Sequence, residues 1–233
     1  MNVPVDELAS RLNGCNFVLE PDKPQLISIA GNIGVGKTTL AKELAGRFEC
    51  PVLFEPYDAN PFMPEVYAGN NELALDSQLF FLTSRVEQLG RNNLSPGEIY
   101  ISDYVFDKEL IYAGALLNSR QLELYKEIYR PLATKVTTPV LVIYMRDSVQ
   151  NCLERIHRRN RPYEQQITPD FLKQLDYDYE QLFHDWKHSP VVRLSTLELD
   201  YSNDGTIESL VNQVKCYVTN KECLVFDETA GQI

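Results

Sequence analysis

Nine residues, Gly31-Asn32-Ile33-Gly34-Val35-Gly36-Lys37-Thr38-Thr39, leave this chain few folds to choose from. They read as G-x-x-x-x-G-K-T directly behind the apolar run Leu26-Ile27-Ser28-Ile29-Ala30. A buried strand, a glycine-rich loop and a helix start in that order form a cradle for phosphate groups. The glycines let successive backbone N–H groups turn inward, and the helix that follows adds the positive end of its dipole. In such a loop Lys37 reaches the β- and γ-phosphates. Thr38 supplies a hydroxyl where a nucleotide-bound Mg²⁺ takes one of its few protein ligands.

The rest of the chain alternates apolar runs with helical patterns, which predicts an α/β fold with a parallel sheet covered on both faces. Five strands are expected, at Leu26–Ala30, Val52–Glu55, Ile99–Ser102, Val140–Met145 and Val191–Leu194. Each is short, apolar and rich in β-branched residues, as buried parallel strands are. Helices are expected over Lys37–Phe48, Glu72–Arg91, two segments within Leu110–Lys135 parted near Asn118-Ser119, Ser148–Arg158, Pro169–Trp186 and Ile207–Val218. The organisation predicted is an N-terminal extension over residues 1–24, one domain over 25–218 and a flexible tail over 219–233. Val5, Leu8 and Leu12 have helical spacing within the extension, which suits a short docking helix or, less simply, a partner-binding arm.

At 233 residues the chain can bury one good core. Its formal charge of −11 argues against general nucleic-acid binding, which needs basic surface. Five cysteines, odd in number and without a C-x-x-C pair, suggest neither a disulfide framework nor a zinc site. Residues Met1 to Ala9 carry two acids and no Lys or Arg, and no apolar run approaches membrane-spanning length. A soluble, cytoplasmic protein with no membrane partner is expected.

In open parallel sheets ligands gather at the carboxyl ends of the strands. Glu55 stands there after the second strand and Asp103 after the third. A carboxylate beside a phosphate loop can hold the metal's shell or accept the proton of an attacking hydroxyl. The acidic chain also concentrates Arg155, Arg158, Arg159 and Arg161 just before Pro162, with Glu164 close behind. Arg155, Arg158 and Arg159 share one helical face. A mobile lid that closes over phosphates accounts for them; a solvated basic helix paired with Glu154 and Glu164 is the alternative.

Taken together, these residues resemble the deoxyribonucleoside kinases, in particular their bacterial deoxyadenosine/deoxyguanosine kinase-like branch. The phosphate loop, Glu55-Pro56, Gln78, the acidic end of the third strand and the arginine lid come in that family's order, over nearly all of Leu26 to Val218. The resemblance implies a P-loop kinase three-layer sandwich, ATP as phosphate donor, Mg²⁺ as cofactor and a homodimer. It makes Glu55 the base for the sugar 5′-hydroxyl and lets Asp103 assist Mg²⁺. Gln78 resembles the base-reading glutamine, with Arg85 further along the same helix. Tyr67 resembles the tyrosine on the sugar 3′-hydroxyl, and Arg161 and Glu164 resemble lid residues near the sugar. An amide can pair with two edges of a base at once, which suits Gln78 to its part. Tyr57, Phe80 and Phe81 are candidate walls around the base.

One position departs from the family pattern. Where an arginine usually follows the strand-three acid and helps hold the reacting 5′ group, this chain has Tyr104. The acceptor is therefore open between a purine deoxynucleoside and a nucleoside monophosphate such as AMP, dAMP or a dTMP-like molecule. A monophosphate would need extra cations near Glu55, from Arg85, Lys108 or the lid, whereas a nucleoside would need Glu55 as base. Family breadth favours the nucleoside. Intact Gly36, Lys37 and Thr38 speak against a purely structural subunit. The sequence Arg146-Asp147-Ser148 after the fourth strand lacks the N-K-x-D of a GTPase switch.

Overall fold

Apolar runs form the sheet and polar punctuation ends it. A computed structural model describes residues 22–67, 69–198 and 204–220. Its five strands are β1 (Gln25–Gly31), β2 (Val52–Leu53), β3 (Ile99–Ser102), β4 (Leu141–Arg146) and β5 (Val191–Ser195). All pairings are parallel, in the order β2-β3-β1-β4-β5. Every residue of β1 is buried, as suits the central strand. Ser28 and Ser102, opposite each other in the β1–β3 register, satisfy their buried hydroxyls across the strands at 2.9 Å.

Eight α-helices lie among the described residues: α1 (Lys37–Phe48), α2 (Met63–Tyr67), α3 (Ala74–Leu89), α4 (Lys108–Leu116), α5 (Ser119–Ala133), α6 (Val149–Arg159), α7 (Pro169–His184) and α8 (Asp204–Asn220). One apolar cluster joins Ile27, Ile29 and β4 to Leu40 and Leu44 of α1, Ile156 of α6, Leu172 and Leu175 of α7 and Val211 of α8. A second gathers Leu26, Leu82, Leu89, Tyr104, Phe106, Ala113 and Tyr125 beneath α3, α4 and α5. The sheet is thus sandwiched, as the alternation predicts.

Several boundaries differ from expectation for physical reasons. The second strand stops at Leu53, because Phe54 turns out to solvent at 41 % exposure and Glu55 turns inward. The long helix starts at Ala74, after a 3₁₀ turn over Asn71–Leu73 capped by the Asn70 side chain. The break between α4 and α5 falls where the asparagine predicts it: Asn118 and Gln121 form a reciprocal capping box. The last helix runs to Asn220, past the expected domain end at 218. A 3₁₀ turn, Tyr57–Ala59, and the helix α2 fill a stretch expected to be irregular. The N-terminal extension up to Pro21 and the tail beyond Asn220 lie outside the described residues. Among the described residues, Cys50 and Cys152 are free thiols, and no helix is long and apolar enough to cross a membrane.

Candidate active site

The buried stripe of α1 runs Lys37, Leu40, Ala41, Leu44, Ala45, so the lysine heads a row that faces the sheet. Its side chain is drawn inward, and Nζ donates to the carbonyls of Gly31 at 2.9 Å and Asn32 at 2.8 Å. Burial lowers the lysine's pKa to about 8; Asp103 works against this and Arg159 adds to it. Asn32 braces the loop, donating to Leu172 O at 2.8 Å and accepting from the Ile33 N–H at 2.8 Å. Val35 is buried in the core. Gly34, with φ +80°, packs so closely on α6 that a Cβ would lie 2.4 Å from the Cys152 carbonyl oxygen. Gly36, with φ 108°, turns the chain into α1. The first N–H groups of α1 have no partner within the helix and point at the mouth of the loop. Thr38 and Thr39 are exposed there.

Asp103 ends β3 and joins the two halves of the site. Its Oδ2 accepts from the Thr38 hydroxyl at 2.6 Å, and its Oδ1 accepts from the backbone N–H of Glu55 at 2.9 Å. The hydroxyl and carboxylate oxygens at the edge of a phosphate cradle are the hard donors Mg²⁺ prefers, so these residues fit that ion.

Beyond Asp103 lies a cleft of about 470 Å³, open mouth included, whose lining includes Glu55, Tyr57, Gln78, Phe81, Arg85, Lys108, Tyr112 and Glu164. The buried stripe of α3 runs Ala74, Ser77, Gln78, Phe81, Leu82, Arg85, Leu89 and delivers both Gln78 and Arg85 to it. Asn60 pins the Tyr57–Tyr67 segment over this helix, donating to Ser77 O at 3.2 Å and Oγ at 3.0 Å. Tyr57 meets Phe81 edge-on at 6.0 Å. Gln78 is buried, and its Oε1 has no hydrogen-bond partner. Such an acceptor is costly unless something donates to it.

The cleft's inner end is a buried ionic network. Arg85 pairs with both Glu55 and Glu109, and the Tyr125 hydroxyl donates to Glu109. Lys108 Nζ lies 2.5 Å from the Glu55 carboxylate. Burial lowers the Arg85 and Lys108 pKa values, Lys108 well below its ordinary range with Arg85 and Lys37 adding to the effect. Glu55, the expected base, is thus held by two cations.

The lid begins where α6 ends, at Asn160 in the left-handed region with φ 51°. Arg159 pairs with the buried Glu164 at 2.5 Å and Arg161 with the same carboxylate at 3.5 Å. The Arg161 guanidinium also covers the Tyr57 ring at 5.8 Å. Arg155 reaches Gly34 O at 3.3 Å and Asp147 at 2.5 Å. Arg158 points to solvent, apart from these groups. Its expected shared face with Arg155 and Arg159 does not bring it to the site. Tyr104, a candidate substrate contact because it stands where the family's arginine holds the reacting 5′ group, does not take that part: it is fully buried, with its hydroxyl on Gln88 at 2.5 Å, and does not line the cleft. Phe80 packs beside Phe81 at 6.1 Å but is not part of the lining. Tyr67 closes α2, and its side chain lies outside the described residues.

Sequence reasoning passed over Glu109 and Tyr125 and gave Lys108 only a conditional part. The signal was Arg85 itself. An arginine between Phe81, Leu82 and Leu89 on a buried stripe needs a carboxylate partner.

Comparison with known proteins bears on this geometry. A family model described as deoxynucleoside kinase matches residues 27–219. The chain is 38 % identical over 157 residues to a deoxyguanosine kinase of Bacillus subtilis (strain 168), covering 66 % of this chain and 76 % of that protein. It is 31 % identical over 179 residues to a deoxyadenosine kinase of Dictyostelium discoideum, covering 74 % and 72 %. A solved deoxyadenosine kinase from M. mycoides with bound dATP superposes with a TM-score of 0.70 at 25 % identity, over 82 % of this chain and 98 % of that one.

Proposed function

The chain belongs to the deoxynucleoside kinase family, and from that premise we propose that it transfers the γ-phosphoryl of ATP to the 5′-hydroxyl of a purine deoxyribonucleoside. The observation that carries this reading is the charge of the acceptor cleft. Its charged lining residues are two acids, Glu55 and Glu164, and two bases, Arg85 and Lys108. Both bases are already engaged by buried carboxylates. A monophosphate would bring about two negative charges to cations that already have carboxylate partners, and would have to draw the lid arginines Arg159 and Arg161 off Glu164, whereas a neutral nucleoside meets no such penalty. The unpartnered Oε1 of Gln78 adds to this, because it asks for a donor such as a purine amino group. Two relatives named for deoxyguanosine and deoxyadenosine support the purine class.

In this reading Gly31 to Thr39 hold the triphosphate, and Lys37 leaves the Gly31 and Asn32 carbonyls for phosphate oxygens. Thr38 and Asp103 would hold Mg²⁺, which would supply charge neutralisation for the phosphates. Glu55 accepts the 5′-hydroxyl proton as the new O–P bond forms, and ADP leaves along the loop. Arg155, Arg159 and Arg161 cover the donor, and Glu164 keeps the last two folded over the cleft. Such catalysis is mostly positioning and charge stabilisation. The reading includes a homodimer, for which Leu124 of α5, 52 % exposed, is a side chain to cover.

The test is MgATP consumption against matched panels of deoxynucleosides, ribonucleosides and their 5′-monophosphates, with products separated by charge. Monophosphate formation from purine deoxynucleosides is expected. Turnover confined to the monophosphate panel would overturn the reading.

A further inference from the structure

The second cation on Glu55 comes from the start of α4. Tyr104, the residue after Asp103, points into the core, and the position beside the Glu55 carboxylate is taken instead by Lys108 at the start of α4. Lys108 is 1 % exposed, and its ammonium sits among the rings of Tyr57, Tyr104 and Tyr112 at 5.7, 5.7 and 5.2 Å. Burying an ammonium is expensive, and surface lysines give a helix start nothing that would offset it. Arg85 is already fixed between Glu55 and Glu109, and Lys108 is the second cation that these two carboxylates need. What Lys108 adds is a second fixed point on Glu55, at the wall of the acceptor cleft.

We propose that Lys108 is a positioning residue of phosphoryl transfer, aiming the Glu55 carboxylate at the acceptor hydroxyl. This rests on the reading of Glu55 as the proton acceptor. One cation alone would leave the carboxylate free to swing about the Arg85 contact; two cations from different helices fix its plane. The arrangement trades basicity for aim. In a loose transition state the hydroxyl proton leaves late, so aim matters more than proton affinity. The O–H bond breaks as the O–P bond forms, the proton passes to Glu55, and the bond to the β–γ bridging oxygen breaks to release ADP.

The charged and titratable groups around this pair are Arg85 from α3, Lys37 from α1, Asp103 from the end of β3, Tyr57 and Tyr112, with Glu109 behind Arg85 and Glu164 across the cleft. In Lys108→Met we expect kcat to fall by about a hundredfold or more while the KM values for ATP and for the nucleoside stay within about twofold, because aim is needed in the transition state and not for binding. Lys108→Arg, which keeps charge and reach, should restore at least about tenfold of the loss. A loss that falls on KM rather than kcat, or no rescue by arginine in a folded protein, would overturn the proposal, because a merely structural lysine behaves that way. Should Lys108→Met fail to fold by circular dichroism, Lys108→Arg carries the test: substantial turnover with wild-type KM values supports it, and inactivity in a folded protein refutes it. Glu55→Gln separates the two readings. Turnover retained there removes the base assignment and this proposal with it, whereas an inactive Glu55→Gln beside a fully active Lys108→Met removes this proposal alone.

Discussion

Replacing Arg85 with methionine should destabilise the protein in a way that depends on pH. Arg85 is 3 % exposed and serves two buried carboxylates. Methionine keeps most of the volume, and Glu55 keeps Lys108, so the loss falls on Glu109, which is left with the Tyr125 hydroxyl. A buried carboxylate without its cation escapes by taking up a proton. The penalty is then capped by the work of protonating it, about 1.4 kcal/mol for each pH unit above an ordinary value of about 4.3. At pH 7 the cap is about 3.7 kcal/mol, and at pH 5 about 1 kcal/mol. The sign follows from linkage: the folded variant holds a proton that the unfolded chain releases above about pH 4.3, so its stability falls relative to wild type as pH rises. Urea unfolding of both proteins at pH 5 and 7 reads the difference, since other titrations cancel in the comparison. For a chain of this size the neutral-pH loss corresponds to a Tm lower by roughly 7–15 °C. Arg85→Met with Glu109→Gln should recover most of the loss at pH 7 and flatten its pH dependence. An equal loss at both pH values, or a double variant no better than the single one, would refute the account of the network.

Three further perturbations probe the rest of the site. Above pH 8 Lys37, with its pKa lowered by burial to about 8, is neutral in the folded protein but still charged in the unfolded chain, so the cost of burying it fades as pH rises. Phosphates restore its charge, so ATP binding at pH 9 should take up close to one proton, and almost none at pH 7. Calorimetry in buffers of different ionisation enthalpy measures this, and uptake unchanged in Lys37→Met would contradict it. Gln78→Ala should raise the acceptor KM about ten- to hundredfold and blur base choice while leaving the ATP KM alone; competition between purine substrates reads this out, and unchanged selectivity would move the base elsewhere. Gly34→Ala puts a Cβ 2.4 Å from the Cys152 carbonyl oxygen in a left-handed backbone, which costs about 1–2 kcal/mol before any clash. ATP affinity should fall at least tenfold, and wild-type affinity would show that the loop can shift off α6 freely.

The sheet was legible because buried parallel strands must be apolar on both faces, as the runs at β1, β3 and β4 are, while the edge strand β5 shows only a short β-branched run broken by the exposed Arg193. The second strand misled because Glu55, next to apolar residues, extends the apparent run while its side chain has already turned into the cleft. The Tyr57–Ala59 turn and α2 escaped because three and five residues are too few to show a helical period, and Asn60 holds the segment through contacts to Ser77, far along the chain. The donor side of the site is local in sequence, so a contiguous loop revealed it. The acceptor side is assembled from β2, α3, α4 and α5. Lys108 and Glu109 look like ordinary first-turn charges until α4 packs on α3 and buries them. The lid arginines were located by their density along the chain, but the helical wheel could not tell which would face inward, and Arg158 does not.

Asp103 touches Thr38 with one oxygen and the Glu55 backbone with the other. Donor loop and acceptor cleft thereby share one fixed point just past β3, in addition to the anchors that the Asn32 side chain gives the loop and that Arg85 and Lys108 give Glu55. A small displacement of this one carboxylate would be felt on both sides of the gap that the transferred group must cross.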